Sequence, residues 1–259
     1  MLAKSYSSLL KKYHISYLGS HGQSMKMKLS EDAGTITYSI YLAPSNLSGR
    51  NVCPMSTYCR EHCLNGSGHN KADELKRGKN SLINQSRIKK TRMFFENRND
   101  FMEILVHEID KAQQYADNHN MPFSIRLNCT SDLSPEMFKK DGKNILELYP
   151  NIQFYDYTKV PSRLSLQNKY DNYDLTFSFD GHNWDVCKDY LDKGGKVAVV
   201  FFGEMPKNWR GYNVFDANID DIRYKSPNGE IMGLHYHKTA NDFINGKFQV
   251  PKTDFVVLC

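Results

Sequence analysis

Three cysteines, Cys53, Cys59 and Cys63, stand within eleven residues, with five and then three residues between them. A loop of this length can wrap three thiolates around one metal ion or one face of a cluster, and both zinc and iron–sulfur clusters accept thiolate ligands. Structural zinc sites usually combine two closely spaced cysteine pairs, and no second pair exists here. The spacing therefore favours a [4Fe–4S] cluster held by three cysteines, with one iron open to a small-molecule ligand.

Two other interpretations of the cysteines stay open. A zinc site would need a fourth ligand from His62, His69 or Cys129, and the cluster of thiols could also hold no metal at all. The remaining cysteines, Cys129, Cys187 and Cys259, are isolated in apolar or strand-like contexts, where a lone cysteine is usually a small buried hydrophobe.

Polar side chains follow several predicted strands at the point where each strand ends. In parallel α/β folds the carboxyl ends of the strands form the ligand site. We therefore predict a site at this edge, with Lys159, Asp132 and Asp156 as catalytic candidates and with Asn128, Ser131, Ser178 and Asp180 as cofactor-binding candidates. A cation beside carboxylates can hold an anionic ligand or stabilise developing charge. The structural alternatives are turn caps and, for Lys159, a surface ion pair with Asp156.

Two weaker candidates lie further along the chain. Asp216, Asp220 and Asp221 with Arg223 could bind Mg²⁺, although a turn explains them equally well. His235 and His237 share one face of a predicted strand, without a third metal ligand nearby. The chain has no GxGxxG, P-loop, GxSxG or HExxH motif, which argues against nucleotide hydrolysis and serine-hydrolase chemistry.

The elements that position these residues follow from hydrophobic periodicity and turn signals. An alternating β-branched and aromatic run at 34–44 predicts a strand before the cysteine loop. Residues 70–120 contain no proline and predict two helices that divide near 97–100. After Pro122 the pattern predicts helices at 135–148 and 184–191, and strands at 123–127, 152–157, 175–179, 197–202, 212–215, 231–236 and 255–258.

Repetition of strand, helix and strand predicts a mostly parallel sheet with crossover helices. We expect an α/β fold that forms one domain over residues 1–259. Residues 1–33 are then an N-terminal extension, and residues 51–69 form the cysteine loop.

The charge distribution offers a different kind of function. The 259-residue chain has a net charge of +5, and most of that excess lies between Lys71 and Arg98. A concentrated basic face attracts anionic partners, so this segment could engage nucleic acid or a host protein without catalysis, although a solvated helix surface explains it too. The longest apolar run is six residues, and the first residues lack the pattern of a secretory signal. We therefore expect a cytoplasmic protein without a membrane partner.

The position of the cysteine loop, after the first clear strand and before a long helical segment, resembles that of radical S-adenosylmethionine enzymes. The resemblance implies a partial barrel with the cluster at the mouth of its strands. That superfamily usually has three and then two residues between its cysteines, and a glycine-rich segment after the second strand. Residues 126–132 read Arg-Leu-Asn-Cys-Thr-Ser-Asp instead, which puts the use of S-adenosylmethionine in doubt.

A second resemblance covers most of the chain from about Ser39. The segments that carry it are Tyr41-Leu-Ala-Pro, Cys53-Pro, Cys59-Arg-Glu-His-Cys-Leu-Asn, Arg126-Leu-Asn-Cys-Thr-Ser-Asp, Phe154-Tyr-Asp-Tyr-Thr-Lys, Leu175-Thr-Phe-Ser and Val197-Ala-Val-Val-Phe. They resemble a bacteriophage family labelled gene product eighty-eight-like. The resemblance implies a phage-encoded protein that acts in the bacterial cytoplasm. In that family small residues such as glycine are common where Cys129 stands, which favours ligation by three cysteines alone.

Overall fold

A computed structural model describes residues 5–22 and 24–259. Residues 1–4 and 23, which fall in the predicted N-terminal extension, lie outside the described residues. The helices are α1 (Tyr6–Tyr13), α2 (Met25–Asp32), α3 (Gly68–Arg77), α4 (Leu82–Glu96), α5 (Arg98–Asn118), α6 (Ile145–Leu148), α7 (Leu166–Lys169) and α8 (Trp184–Asp192). The strands are β1 (Gly19–Ser20), β2 (Ile36–Ile40), β3 (Phe123–Arg126), β4 (Lys139–Lys140), β5 (Lys143–Asn144), β6 (Gln153–Thr158), β7 (Tyr173–Ser178), β8 (Lys196–Phe202), β9 (Asn208–Trp209), β10 (Tyr212–Asp216), β11 (Ile231–His235), β12 (Phe243–Ile244), β13 (Lys247–Phe248) and β14 (Val256–Leu258).

The chain forms two compact units, each built from two segments. The first unit comprises the residues up to Cys53 together with Leu82–Phe154, and the second comprises Pro54–Ser81 together with Tyr155–Cys259. Neither unit is one continuous stretch, so no linker in the sequence marks a boundary. The expectation of a single domain stays a prediction.

The first unit is organised around parallel strands. Strand β2 pairs in parallel with β3, β3 pairs in parallel with β6, and the short β1 lies antiparallel to β2. Every residue of β2 is buried, as is typical of a parallel strand covered on both faces. Helix α5 contacts α1, α4 and β2. Its apolar side packs as predicted from the spacing of Phe101, Ile104 and Leu105, all fully buried.

The second unit is also largely parallel. Strand β8 pairs in parallel with β7 and β11, and β10 pairs in parallel with β11. Strand β14 pairs with residues 200–202 of β8, beyond the part that β7 occupies. The last strand therefore runs past the carboxyl end of β7. Helix α8 packs on β7 and β8, and its Cys187 and Leu191 join the core.

The predicted helix at 135–148 is wrong over most of its length. Residues Pro135–Met137 form one 3₁₀ turn, β4 and β5 form a hairpin, and only α6 is helical. Asp141 and Gly142 have φ values of 50° and 80°, which place both central turn residues in the left-handed region and commit the segment to a hairpin. The helix predicted at 184–191 is confirmed, and so is the division between α4 and α5.

The observed architecture is mixed α/β with a largely parallel sheet and helices. Over the described ranges the strands do not close into a barrel. No helix among those residues is long and apolar enough to cross a membrane.

Candidate functional site

Cys53 lies in the first unit, in the segment that follows the carboxyl end of β2. Its Sγ accepts a hydrogen bond from the backbone N–H of Ser45 at 3.4 Å, and its S–H donates to the carbonyl oxygen of Thr130 at 3.8 Å. The thiol of Cys53 is therefore held in place by two backbone contacts.

The loop after β3 carries three of the predicted site residues, and its own hydrogen bonds hold it in shape. The Asn128 side-chain amide donates to the Leu133 carbonyl oxygen, and its Oδ1 accepts from Leu133 N–H and Ser131 Oγ at 2.8–2.9 Å. The backbone N–H of Asp132 donates to the Val52 carbonyl oxygen at 2.7 Å. Asn128 and Ser131 therefore shape this loop. The backbone of Asp132 attaches it to the residue before Cys53.

Cys59 and Cys63 lie in the second unit, on and beside short 3₁₀ turns at Tyr58–Arg60 and Leu64–Gly66. Both thiols, like that of Cys53, are half-buried and none is in a disulfide. Within residues 5–22 and 24–259, no three side chains among histidine, cysteine, aspartate and glutamate are gathered closely enough to hold a metal ion.

A buried polar network surrounds His62, which stands between these two cysteines. Asp242 Oδ1 lies 3.1 Å from His62 Nδ1, and Asp242 Oδ2 accepts from the Tyr236 hydroxyl at 2.6 Å. Thr239 donates to the same carboxylate oxygen from its backbone N–H at 2.5 Å and from its hydroxyl at 3.0 Å. The side chains of His62 and Asp242 are only 9% and 2% exposed. Burial raises the pKa of Tyr236 above its ordinary value, and its bond to Asp242 adds to the shift.

His62 Nδ1 has two neighbours in this network, Asp242 Oδ1 and the Tyr236 hydroxyl oxygen, which lies 2.7 Å away. The Tyr236 hydroxyl donates to Asp242, so both neighbours can accept a hydrogen from Nδ1. The other ring nitrogen, Nε2, is buried and has no hydrogen-bond partner among the described residues.

Asp156 belongs to a second buried network, within the second unit. Its Oδ2 accepts a hydrogen bond from the Tyr173 hydroxyl at 3.1 Å, and Arg163 donates to the same hydroxyl oxygen. All three side chains are buried. Burial raises the pKa of Tyr173 well above its ordinary value, and the charge of Asp156 raises it further. This arrangement ties β6 to β7 and gives Asp156 a structural role.

Ser178 and Asp180 lie where β7 ends and α8 approaches. Asp180 Oδ1 accepts from the backbone N–H groups of His182 and Asn183 at 2.9 and 3.0 Å, and Asn183 donates to the Ser178 carbonyl oxygen at 3.0 Å. These bonds form a turn that leads into α8, as the turn-cap alternative predicts. Lys159 Nζ lies 5.2 Å from the centre of the Phe255 ring.

A cleft of about 490 Å³ opens beside the end of β7, inside the second unit. Phe179, Trp209 and Arg210 form part of its lining, together with residues 251–254 that precede β14. Gly181 has a φ of 104°, and a Cβ atom there would lie 2.7 Å from Asp254 Cβ. Only glycine therefore permits the loop after β7 to approach the segment before β14 this closely.

The isolated cysteines differ from one another. Cys187 is fully buried, as expected, and burial raises the pKa of its thiol to about 12. Cys129 is half-buried, and Cys259 is exposed. The expectation of burial is therefore wrong for Cys259, which follows β14 and leaves its side chain exposed.

The two weaker candidates have structural explanations. Asp216 and Asp220 each accept a hydrogen bond from the backbone N–H two residues later, at 3.0 and 2.8 Å. Arg223 donates to Asp220 at 2.8 Å. These contacts are those of turns. His235 is exposed at the end of β11.

The basic residues between Lys71 and Arg98 are divided among α3, the 3₁₀ turn at Gly78–Asn80, α4 and α5, and they belong to both units. Arg77 pairs with Asp73 at 2.9 Å and Lys79 pairs with Glu74 at 3.3 Å. Lys90 is buried, and burial lowers its pKa to about 8. Nucleic-acid or host-protein binding by this segment stays a prediction.

Sequence reasoning missed Asp242 and Tyr236 as partners of His62, and Arg210 as part of a cleft. One signal for Asp242 was present, because Thr239 and Asp242 have the spacing of a capping box, and the box is formed. The contact with His62, 180 positions away along the chain, has no local signal.

Together, these features define a mixed α/β protein with a largely parallel sheet, whose cysteine loop leaves the carboxyl end of a parallel strand. The chain matches the family described as Gene product 88 over residues 9–246 and belongs to that phage protein family. Neither the curated proteins nor the solved structures include a match to this chain. The resemblance to radical S-adenosylmethionine enzymes gains no support from these comparisons.

Proposed function

We propose that this protein is a phage-encoded iron–sulfur protein of the bacterial cytoplasm, with a [4Fe–4S] cluster held by Cys53, Cys59 and Cys63. The observation that carries the proposal is the set of three half-buried thiols, none in a disulfide, on one eleven-residue segment. The segment follows a parallel strand, where ligand sites of α/β folds form. The open iron would take a small-molecule ligand.

The described side chains do not form a ready metal site, so the proposal requires residues 53–63 to close around the cluster as it binds. Such coupling is physically ordinary, because the free energy of metal binding can drive local folding. At one end of the segment, the proton that Cys53 now donates to the Thr130 carbonyl oxygen would leave as the thiol binds the cluster.

The finer architectural proposal is a partial barrel like that of radical S-adenosylmethionine enzymes. The parallel pairing of β2 with β3 around the cysteine loop supports it. The proposal does not extend to S-adenosylmethionine, because the loop after β3 has no glycine and is closed by the hydrogen bonds of Asn128.

The test is a UV–visible spectrum with iron, sulfide and zinc analysis of the full chain, purified without oxygen. We expect a broad shoulder near ~400 nm and about four irons and four sulfides per chain. Replacement of Cys53, Cys59 and Cys63 by alanine should abolish the iron content, whereas Cys259→Ser, at an exposed thiol, should preserve it. Iron retained by the triple variant, or a colourless wild-type protein with one zinc, would overturn the proposal.

A further inference from the structure

The cleft beside the end of β7 lies entirely in the second unit and includes none of the three cysteines. Its volume of about 490 Å³ falls in the range of small-molecule sites. It lies where the parallel strand β7 ends, which is the usual place for a ligand in an α/β fold.

Arg210 is fixed at the wall of this cleft by the backbone and by aromatic rings. It forms the two-residue turn between β9 and β10 with Gly211, and both have positive φ values, 52° and 90°. Its Cζ atom lies 4.6 Å from the ring centres of Trp184 and Trp209. Stacking engages the faces of the guanidinium and leaves its N–H edges available for an oxyanion.

Lys252 supplies a second positive charge to the lining. In the part of the chain that the structure describes, neither Arg210 nor Lys252 pairs with a carboxylate. Asp254, also in the lining, lies 3.2 Å from His182 Nε2. Thr253 Oγ1 is buried and makes no hydrogen bond within the described ranges. The cleft thus offers two unpaired cations and one unused hydroxyl.

We propose that this cleft binds a phosphate monoester of a ring-bearing small molecule, with Arg210 and Lys252 on the phosphate. The two positive charges match the two negative charges of a phosphate monoester better than the one negative charge of a carboxylate ligand. The volume of the cleft is well above that of a phosphate ion, and its lining includes Phe179 and Trp209. These two features favour a ligand that carries a ring beside the phosphate. Adenosine 5′-monophosphate is a simple probe of this class.

The chain has two tryptophans, and both lie against Arg210. Titration of the full chain with adenosine 5′-monophosphate should therefore change the tryptophan emission, and calorimetry should give the affinity independently. We expect a dissociation constant below about 1 mM. Adenosine and inorganic phosphate should each bind at least about tenfold more weakly, because each lacks half of the recognised chemistry.

The variant Arg210→Asn retains a residue that tolerates positive φ and removes the guanidinium. It should weaken binding by about tenfold or more, and Lys252→Gln should weaken it by a smaller factor. Lys207→Asn is the matched control, since Lys207 is an exposed cation before the same hairpin and outside the lining. Equal affinity for adenosine and its phosphate, equal affinity for inorganic phosphate, or full affinity in Arg210→Asn would each overturn the proposal.

Discussion

Two buried carboxylates, one in each unit, show how similar networks can serve different purposes. Glu108 of α5 accepts hydrogen bonds from the backbone N–H groups of Leu18 and Gly19 and from the hydroxyls of Tyr6 and Tyr38, at 2.6–3.2 Å. These partners are all donors, and none of them extends the network beyond Glu108. Such a network holds the N-terminal segment onto α5 and presents no unused atom.

Asp242 is buried to a similar degree and also accepts from a tyrosine and a backbone N–H, but one of its partners is His62. The far nitrogen of that ring is buried and has no hydrogen-bond partner in the described part of the chain. A buried polar atom without a partner costs free energy. The contrast separates a network in which every polar atom has a partner from one that leaves a buried nitrogen without one.

The largest effect should come from Glu108→Gln. The amide NH₂ would face the N–H and hydroxyl groups that now donate to the carboxylate, and hydrogen bonds to a charged group contribute about 1.5–3 kcal/mol each. We expect a loss of about 3 kcal/mol or more in the free energy of unfolding, measured by urea denaturation. Glu103→Gln, at an exposed position of the same helix, should cost under about 1 kcal/mol. Equal losses of unfolding free energy in the two variants would show that Glu108 does not hold the N-terminal segment onto α5.

Asp242→Asn should destabilise the protein by about 2 kcal/mol, because His62, Tyr236 and Thr239 would lose a charged acceptor. The same denaturation measurement applies, with Asp189→Asn in an exposed pair of α8 as the control. A loss no larger than that of the control would mean that the network around His62 contributes little to the fold.

The region around Glu108 should also give the protein a two-sided alkaline pH profile. Burial lowers the pKa of Lys90 to about 8 from its ordinary 10.5, so the unfolded chain binds more protons there between those values and stability rises with pH. Burial raises the pKa of Tyr38 well above 10, so its contribution is fully present below pH 10 and is lost as the pH rises further.

The contribution of Lys90 should therefore rise by about 2 kcal/mol from pH 8 toward 10. The buried thiol of Cys187, with its pKa raised to about 12, opposes this rise above pH 9, and the contribution of Tyr38 falls above pH 10. Urea titrations across this range would follow the profile. Lys90→Met should remove the rise, and Tyr38→Phe should reduce the fall. The control Lys89→Met, at an exposed neighbouring residue, should change neither the rise nor the fall. An unchanged rise in Lys90→Met would contradict the assignment.

The smallest effect should come from His62→Asn in the metal-free protein. An asparagine amide nitrogen can replace Nδ1 and keep the bond to Asp242, while the unpartnered Nε2 is removed. We expect a change in unfolding free energy below about 1 kcal/mol, since the amide nitrogen can keep both contacts of Nδ1, with Asp242 and with the Tyr236 hydroxyl 2.7 Å away. A loss comparable to that of Asp242→Asn would show that Nε2 has a structural partner, and the contrast with Glu108 would disappear.

Local sequence patterns predicted most of the strands, because alternation of apolar residues and nearby turn residues act within a few positions. The segment 135–148 shows the limit of that reasoning. Its proline and apolar spacing suit a helix, yet Asp141-Gly142 favours a tight turn, and the turn prevailed.

The sequence by itself determined the parallel α/β character, the cysteine spacing and the family resemblance, because these depend on residue type and short-range order. Only the tertiary structure decided that Asn128, Ser131 and Asp180 shape turns, and that His62 meets Asp242. It also decided that Arg210 lines a cleft beside residues 251–254. The physical reason is that the tertiary fold chooses hydrogen-bond partners that are distant along the chain, and such a choice leaves no local pattern in the sequence.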